Sequence, residues 1–322
     1  MIMNLCLIVF GMAVCLHGYR MFWTLRSLPQ IHTGAFDGEL VRAGASFMAR
    51  RPSRNGARRT IICFPGFQED MRYFQALYAQ EASELILFNN ANYHCPFNAA
   101  QATQLDWPDN PYRVGTIEHD GFYLNLAIDR LASGQEIYLQ GHSRGAAVVL
   151  EAGRQKPRRD RSERRIISTF LEAPVLPQAR VVGNGAKPLP HLIICYLMPI
   201  FFGHMRDISR ERLVKMPMMQ PNNELKTRLC LSIFTTPRNY AVCVTNFRSI
   251  VRWQRETGFD AYENFTTINV IIGARDSILD RQSMLASANA GQALNGGVSI
   301  IQTRNTNHFI SLEKPQDILR LL

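Results

Sequence analysis

The sequence predicts an α/β protein, with a mostly parallel central sheet flanked by helices, a helical insertion late in the sheet and an apolar helix in front. Three observations lead there. Short continuous apolar runs alternate with helical periodicity from residue 60 to residue 173. That alternation lapses over residues 174–262 and resumes from residue 263. Ahead of all this, Met1 to Leu16 carries no charge and is followed by Tyr19, Phe22 and Trp23.

Residues 1–24 read as a membrane anchor. The apolar run with its aromatic flank reaches the ~20 residues that a span requires. A cleaved signal would open on positive charge and close on small residues. Here no Lys or Arg precedes the run, and "CLHGYR" is a poor cleavage site. Arg20, Arg26, Arg42, Arg50, Arg51 and Arg54 all follow it. By the positive-inside rule they place the main domain on the cytoplasmic face. A buried N-terminal helix is the competing reading.

Residues 25–173 form the first part of the core. After the connector "RRPSRNGARR", the run "TIICFPGF" is a buried strand stopped at Pro-Gly. "MRYFQALYAQEA" is a helix with Tyr73, Phe74, Leu77 and Tyr78 on one side, and "LILF" is the next strand. Pro96, Pro108 and Pro111 interrupt the stretch that follows. "DGFYLNLAIDRLA" is a helix for which Asp120 is placed as the cap. "IYLQ" is a strand, "SRGAAVVLEA" a helix and "IISTFLEAP" a strand ended by Pro174. Residues 174–262, rich in Pro, Met and aromatics, form the insertion. Residues 263–322 complete the core with the strand in "TTINVIIGARDSI", the helix "DRQSMLASANAGQAL", the strand "VSII" and a final helix from Leu312.

Composition narrows the classes of function. The net charge is +10, part of it in "GRQKPRRDRSERR", a solvated loop or a contact for anionic headgroups. No nucleic-acid motif accompanies the charge and aromatics are not interleaved with it, so nucleic acid is not an expected partner. The seven cysteines are scattered without a Cys-x-x-Cys pair, which supports neither a zinc site nor a disulfide framework. Nothing calls for a metal or an organic cofactor.

Gly141-His142-Ser143-Arg144-Gly145 falls between a predicted strand and a predicted helix, the setting a nucleophile elbow requires. The pattern alone is weak. Asp276, just past a buried strand, and His308, in a short polar loop after another, follow in the order Ser, Asp, His. Each has an ordinary alternative: Asp276 as a helix cap, His308 as a structural histidine.

With these three sites in order, residues Leu40 to Leu322 resemble the α/β-hydrolase superfamily, with a lid inserted after the sixth core strand. The resemblance implies Ser143 as nucleophile, His308 as its general base and Asp276 as the orienting acid. It also implies an oxyanion hole made by the backbone N–H groups of Arg144 and Phe67, the latter in "FPGFQED". Glu172 in "FLEAP" is the competing acid, since some members carry theirs after the sixth strand. His142 reads as packing beside the nucleophile. In "LFNNANYHCPF" the chain departs from members that have an Asp and a Gly-rich turn; Tyr93 and His94 there are either pocket-mouth residues or plain loop.

A serine nucleophile points to esters, thioesters, lactones or amides. The insertion's runs "HLIICYLMPIFFGHM" and "RNYAVCVTNFRSIVRW" either wall an apolar pocket or only glue a lid to the core. With the anchor, they lead to the expectation of a membrane-associated serine hydrolase. Its substrate would be a small-molecule lipid-like acyl ester, a lysophospholipid or a thioester. An acyltransferase using the same triad and a catalytically silent scaffold are the alternatives.

Overall fold

A computed structural model of the chain describes every residue except 1, 27–34, 55, 57, 158–164, 184–186 and 236–239. Most of the basic stretch, residues 158–164, therefore lies outside the described residues. The strands are β1 (Glu39–Ala43), β2 (Ser46–Arg51), β3 (Arg59–Phe64), β4 (Glu84–Phe88), β5 (Thr103–Gln104), β6 (Glu136–His142), β7 (Arg165–Glu172), β8 (Ile268–Gly273) and β9 (Val298–Thr303). They form one sheet in the order β5-β1-β2-β4-β3-β6-β7-β8-β9. From β4 to β9 every pairing is parallel, while β2 runs antiparallel to both of its neighbours.

The apolar runs form these central strands because both faces of the sheet are covered. Side chains alternate across a strand, so Ile62 and Phe64 of β3 join one core cluster and Ile61 and Cys63 the other. The first cluster is closed by α3 (Ile117–Leu126), α4 (Arg144–Gln155) and α9 (Arg281–Leu294). The second is closed by α2 (Arg72–Leu77), α10 (Ile310–Glu313) and α11 (Pro315–Leu319).

Two local expectations change. Asp120 does not cap α3: Thr116 Oγ does, accepting from His119 N at 3.2 Å. Asp120 instead lies buried inside the helix, where a carboxylate persists because His119 Nδ1 is 2.9 Å away and an Arg144 Nη2 is 2.7 Å away. Arg50 and Arg51 belong to β2 rather than to a connector. Arg50 bonds Glu84 at 2.8 Å, and Arg51 donates to the Tyr78 and Glu81 carbonyls at 2.9 and 2.7 Å.

Between β7 and β8 the described residues form the α-helices α5 (Pro188–Met205), α6 (Arg210–Leu213), α7 (Glu224–Thr235) and α8 (Tyr240–Glu256). Ile250 and Trp253 of α8 enter the first core cluster, and Leu213 and Cys230 enter the second. The N-terminal helix α1 (Ile2–Leu25) docks on α5 only by its last turns. Trp23 covers Gly203 so closely that a Cβ there would stand 2.3 Å from the indole, so only glycine permits this crossing. Arg20 Nε donates to the Tyr196 carbonyl at 3.0 Å, and Tyr19 Oη meets His204 Nε2 at 2.8 Å. The preceding turns expose Met3, Leu5, Leu7, Ile8, Val9 and Phe10.

Candidate active site

Ser143 stands at the tip of β6, immediately before α4, with φ +51° and ψ −114°. Positive φ is costly for a side-chain-bearing residue and persists only where its surroundings dictate it. They do: Ser143 N donates to the Glu172 carbonyl at 2.8 Å, and its own carbonyl accepts from Ala146 and Val175 at 3.1 and 3.0 Å. Gly145 lets α4 start this close to β3, since a Cβ there would lie 2.0 Å from the Phe64 carbonyl oxygen. That oxygen belongs to the sheet and cannot step aside. Gly145→Ala is therefore expected to lower the melting temperature steeply, by at least the ~1–3 kcal/mol of an overpacked core. A wild-type melting curve would contradict it.

Asp276 and His308 meet. His308 Nδ1 lies 2.9 Å from Asp276 Oδ2, and the other carboxylate oxygen accepts from Ile278 N and Leu279 N, both at 2.9 Å. Burial opposes ionisation of Asp276, but the adjacent His308 and these donors outweigh it and hold the carboxyl below its ordinary value. Ser143 comes to the same end of the sheet: its neighbour His142 lies 2.8 Å from the His308 carbonyl through Nε2. Ser143 Oγ itself makes no hydrogen bond among the described residues, so the serine–imidazole bond is not formed in this structure.

Glu172, the competing acid, is elsewhere engaged. It is fully buried and accepts from Tyr73 Oη, Gln140 Nε2, Ser311 N and Ser311 Oγ at 2.6 to 2.9 Å. It braces β6, α2 and α10 and does not touch His308.

The backbone N–H groups of Phe67 and Arg144, the expected oxyanion donors, donate to no acceptor among the described residues. The Phe67 ring faces Phe202 of α5 and Phe247 of α8, with centroids 5.9 and 6.1 Å away. The Arg144 side chain is fully buried and does not reach solvent. It donates to Asn90 Oδ1 at 2.9 Å and to the Gly115 carbonyl at 3.1 Å. Asn90 passes this support on, donating to the carbonyls of Gly66 and Glu69 at 2.8 and 3.0 Å. Here the chain's departure in "LFNNANYHCPF" finds its use. Tyr93 is also interior, its hydroxyl donating to Asn246 Oδ1 at 2.7 Å.

Sequence reasoning missed Asn307, Glu69 and the work of Asn90. Asn307 Oδ1 accepts from His308 N and Ser277 N, both at 2.9 Å, while its Nδ2 donates to the Pro217 and Gln220 carbonyls at 2.9 and 2.7 Å. It joins the acid loop, the histidine loop and the insertion. No local pattern announces such a contact. A cavity of about 520 Å³ lined by Phe36, Leu40, Phe97 and Thr103 opens at the β1–β5 end of the sheet and shares no residue with the Ser143 cluster. Among the described residues, no three His, Cys, Asp or Glu side chains gather as metal ligands.

This sheet, with its elbow and its late acid and histidine, is the α/β-hydrolase fold. Solved structures agree. MenH from S. aureus superposes with a TM-score of 0.60 at 13% identity, over 85% of this chain and 95% of its own. An esterase from Exiguobacterium antarcticum gives 0.61 at 10% identity, over 88% and 97%. A thermophilic esterase from Thermogutta terrifontis gives 0.57 at 16%, over 92% and 96%. No protein-family model and no curated protein matches the sequence.

Proposed function

We propose that the chain is a serine ester hydrolase that acts on apolar acyl esters at a membrane surface. The observation that carries it is the Asp276–His308 pair, set at the carboxyl end of the sheet beside a strained, buried Ser143. In this reading His308 takes the Ser143 proton as Oγ attacks the ester carbonyl. Asp276 holds the imidazole with Nε2 toward the serine and stabilises its charged form. The amides of Phe67 and Arg144 receive the oxyanion, each worth about 3 kcal/mol. His308 then protonates the leaving alcohol, and water cleaves the acyl-enzyme by the same steps reversed. The similarity to esterase structures is consistent with this chemistry.

The apolar substrate is inferred from Phe67, Phe202 and Phe247, three rings gathered over the oxyanion loop. Membrane association is inferred from α1, which is long and apolar enough to cross a bilayer, and from α5 beside it. On α5, Leu189, Leu192, Ile193 and Phe201 are at least half exposed. The arginines that follow α1 favour a cytoplasmic catalytic domain. Residues 174–262 are read as the cap over the site.

A fluorophosphonate tests the reading. Intact-mass analysis is expected to show a single adduct on the wild type and none on Ser143→Ala. A folded wild type that takes no adduct would remove the hydrolase reading.

A further inference from the structure

His142 has two ring nitrogens, and both face acceptors. Nδ1 lies 2.7 Å from Glu69 Oε2 and Nε2 lies 2.8 Å from the His308 carbonyl oxygen. A neutral imidazole carries one N–H and would turn a lone pair toward the other acceptor. Two protons on the ring satisfy both. The same Glu69 oxygen also accepts from Gly66 N at 2.7 Å, one residue before Phe67. A continuous buried chain therefore runs from the oxyanion loop, through the residue next to the nucleophile, to the backbone of His308.

We propose that Glu69 and His142 form a positioning pair: the charged His142 ring holds the His308 carbonyl and Glu69 holds the Gly66 amide, fixing the imidazole and the oxyanion donors relative to Ser143. This deepens the hydrolase reading and rests on it. The surroundings suit a held cation. The ring is fully buried and stacked on Tyr73 at 4.5 Å, with the His308 and Phe309 rings at 4.9 and 5.8 Å. Tyr73 donates its hydroxyl to Glu172, so the groups facing His142 are the Glu69 and Glu172 carboxylates, a neutral phenol and the His308 ring. Burial disfavours charge on His142. The Glu69 carboxylate, with lesser help from Glu172 and the His308 carbonyl, outweighs burial and pushes the ring's pKa up to about 9. Neither residue touches the reacting atoms.

Steady-state kinetics on a soluble ester and histidine ¹⁵N NMR of Ser143→Ala test the pair. His142→Leu is expected to lower kcat about 100-fold, the scale of a ~1 Å misplacement, with KM within twofold. His142→Gln keeps an N–H for the His308 carbonyl and is expected to recover at least tenfold of that loss. The wild-type kcat should fall above about pH 9 as the ring loses its second proton. In Glu69→Gln that fall should move to lower pH, because the carboxylate that stabilises the cation is gone. A merely structural role would lower the melting temperature and leave the pH limb in place. The NMR spectrum should show one histidine with both ring nitrogens protonated at pH 7. A single ring proton on His142, or an unmoved pH limb in Glu69→Gln, would overturn the proposal. An inactive wild type would sink the hydrolase reading, and the ring-proton count would still decide the tie.

Discussion

Asp276→Asn is expected to lower kcat by roughly 10⁴-fold, with KM close to wild type and only a modest fall in melting temperature. The amide keeps its oxygen for Ile278 N and Leu279 N, which now bond the carboxylate. Its NH₂ then faces His308 Nδ1 and donates to it, so the proton moves to Nε2 and the lone pair that must accept from Ser143 is lost. Glu172→Gln should behave in the opposite way. Four donors converge on that carboxylate from Tyr73, Gln140 and Ser311. An NH₂ placed among them leaves buried donors facing each other, so stability falls and activity falls with it. Comparing kcat with melting temperature for the two variants separates the acid that serves His308 from the acid that braces the sheet. A 10⁴-fold loss in a stable Glu172→Gln, with an active Asp276→Asn, would reverse the assignment. Because Asp276 titrates below its ordinary value in the fold, its stabilising ionisation is fully present above about pH 4. It is lost only as pH falls through that lower folded value.

The second large effect falls on Lys226. Its ammonium and the Glu313 carboxylate are almost entirely buried, 2.5 Å apart, and the ammonium also donates to the Met218 and Pro221 carbonyls. Glu313 in turn accepts from Asn307 N. Lys226→Met strands a buried carboxylate and is expected to cost ~3–5 kcal/mol in chemical denaturation. The damage should reach catalysis, since Asn307 orders the histidine loop. Adding Glu313→Leu removes the stranded charge and should recover more than half of the lost stability. A single variant as stable as wild type would show that the pair contributes little.

The Lys226–Glu313 pair is a contact that the sequence hides, although much of the frame was legible. The strands β3, β4 and β6 to β8 could be read because parallel strands covered on both faces must be apolar without interruption. The β1–β2 hairpin could not. It carries Arg42, Arg50 and Arg51, whose charges read as a flank to the apolar helix, and only the fold reveals Glu84 and the Tyr78 and Glu81 carbonyls as partners for Arg50 and Arg51. In the candidate site, Ser143, Asp276 and His308 drew notice because each follows a strand that can be read, and the structure pairs Asp276 with His308 at 2.9 Å. Glu69, Asn90 and Asn307 did not, since an amide or carboxylate bonded to backbone far away in the chain looks like any polar loop residue. His142 was read as packing. It does pack, against Tyr73, but its two nitrogens carry the more consequential contacts.

The buried course of the Arg144 side chain bears on how this scaffold can change. The residue after the proposed nucleophile is an obvious position to randomise when a new substrate range is wanted. In this chain the side chain turns inward, to Asn90, Gly115 and Asp120, and underpins the loop that carries Phe67. Diversity introduced there would be drained into misfolding, whereas on the proposed function Phe202 and Phe247, whose rings only face Phe67, are the positions at which to reshape selectivity.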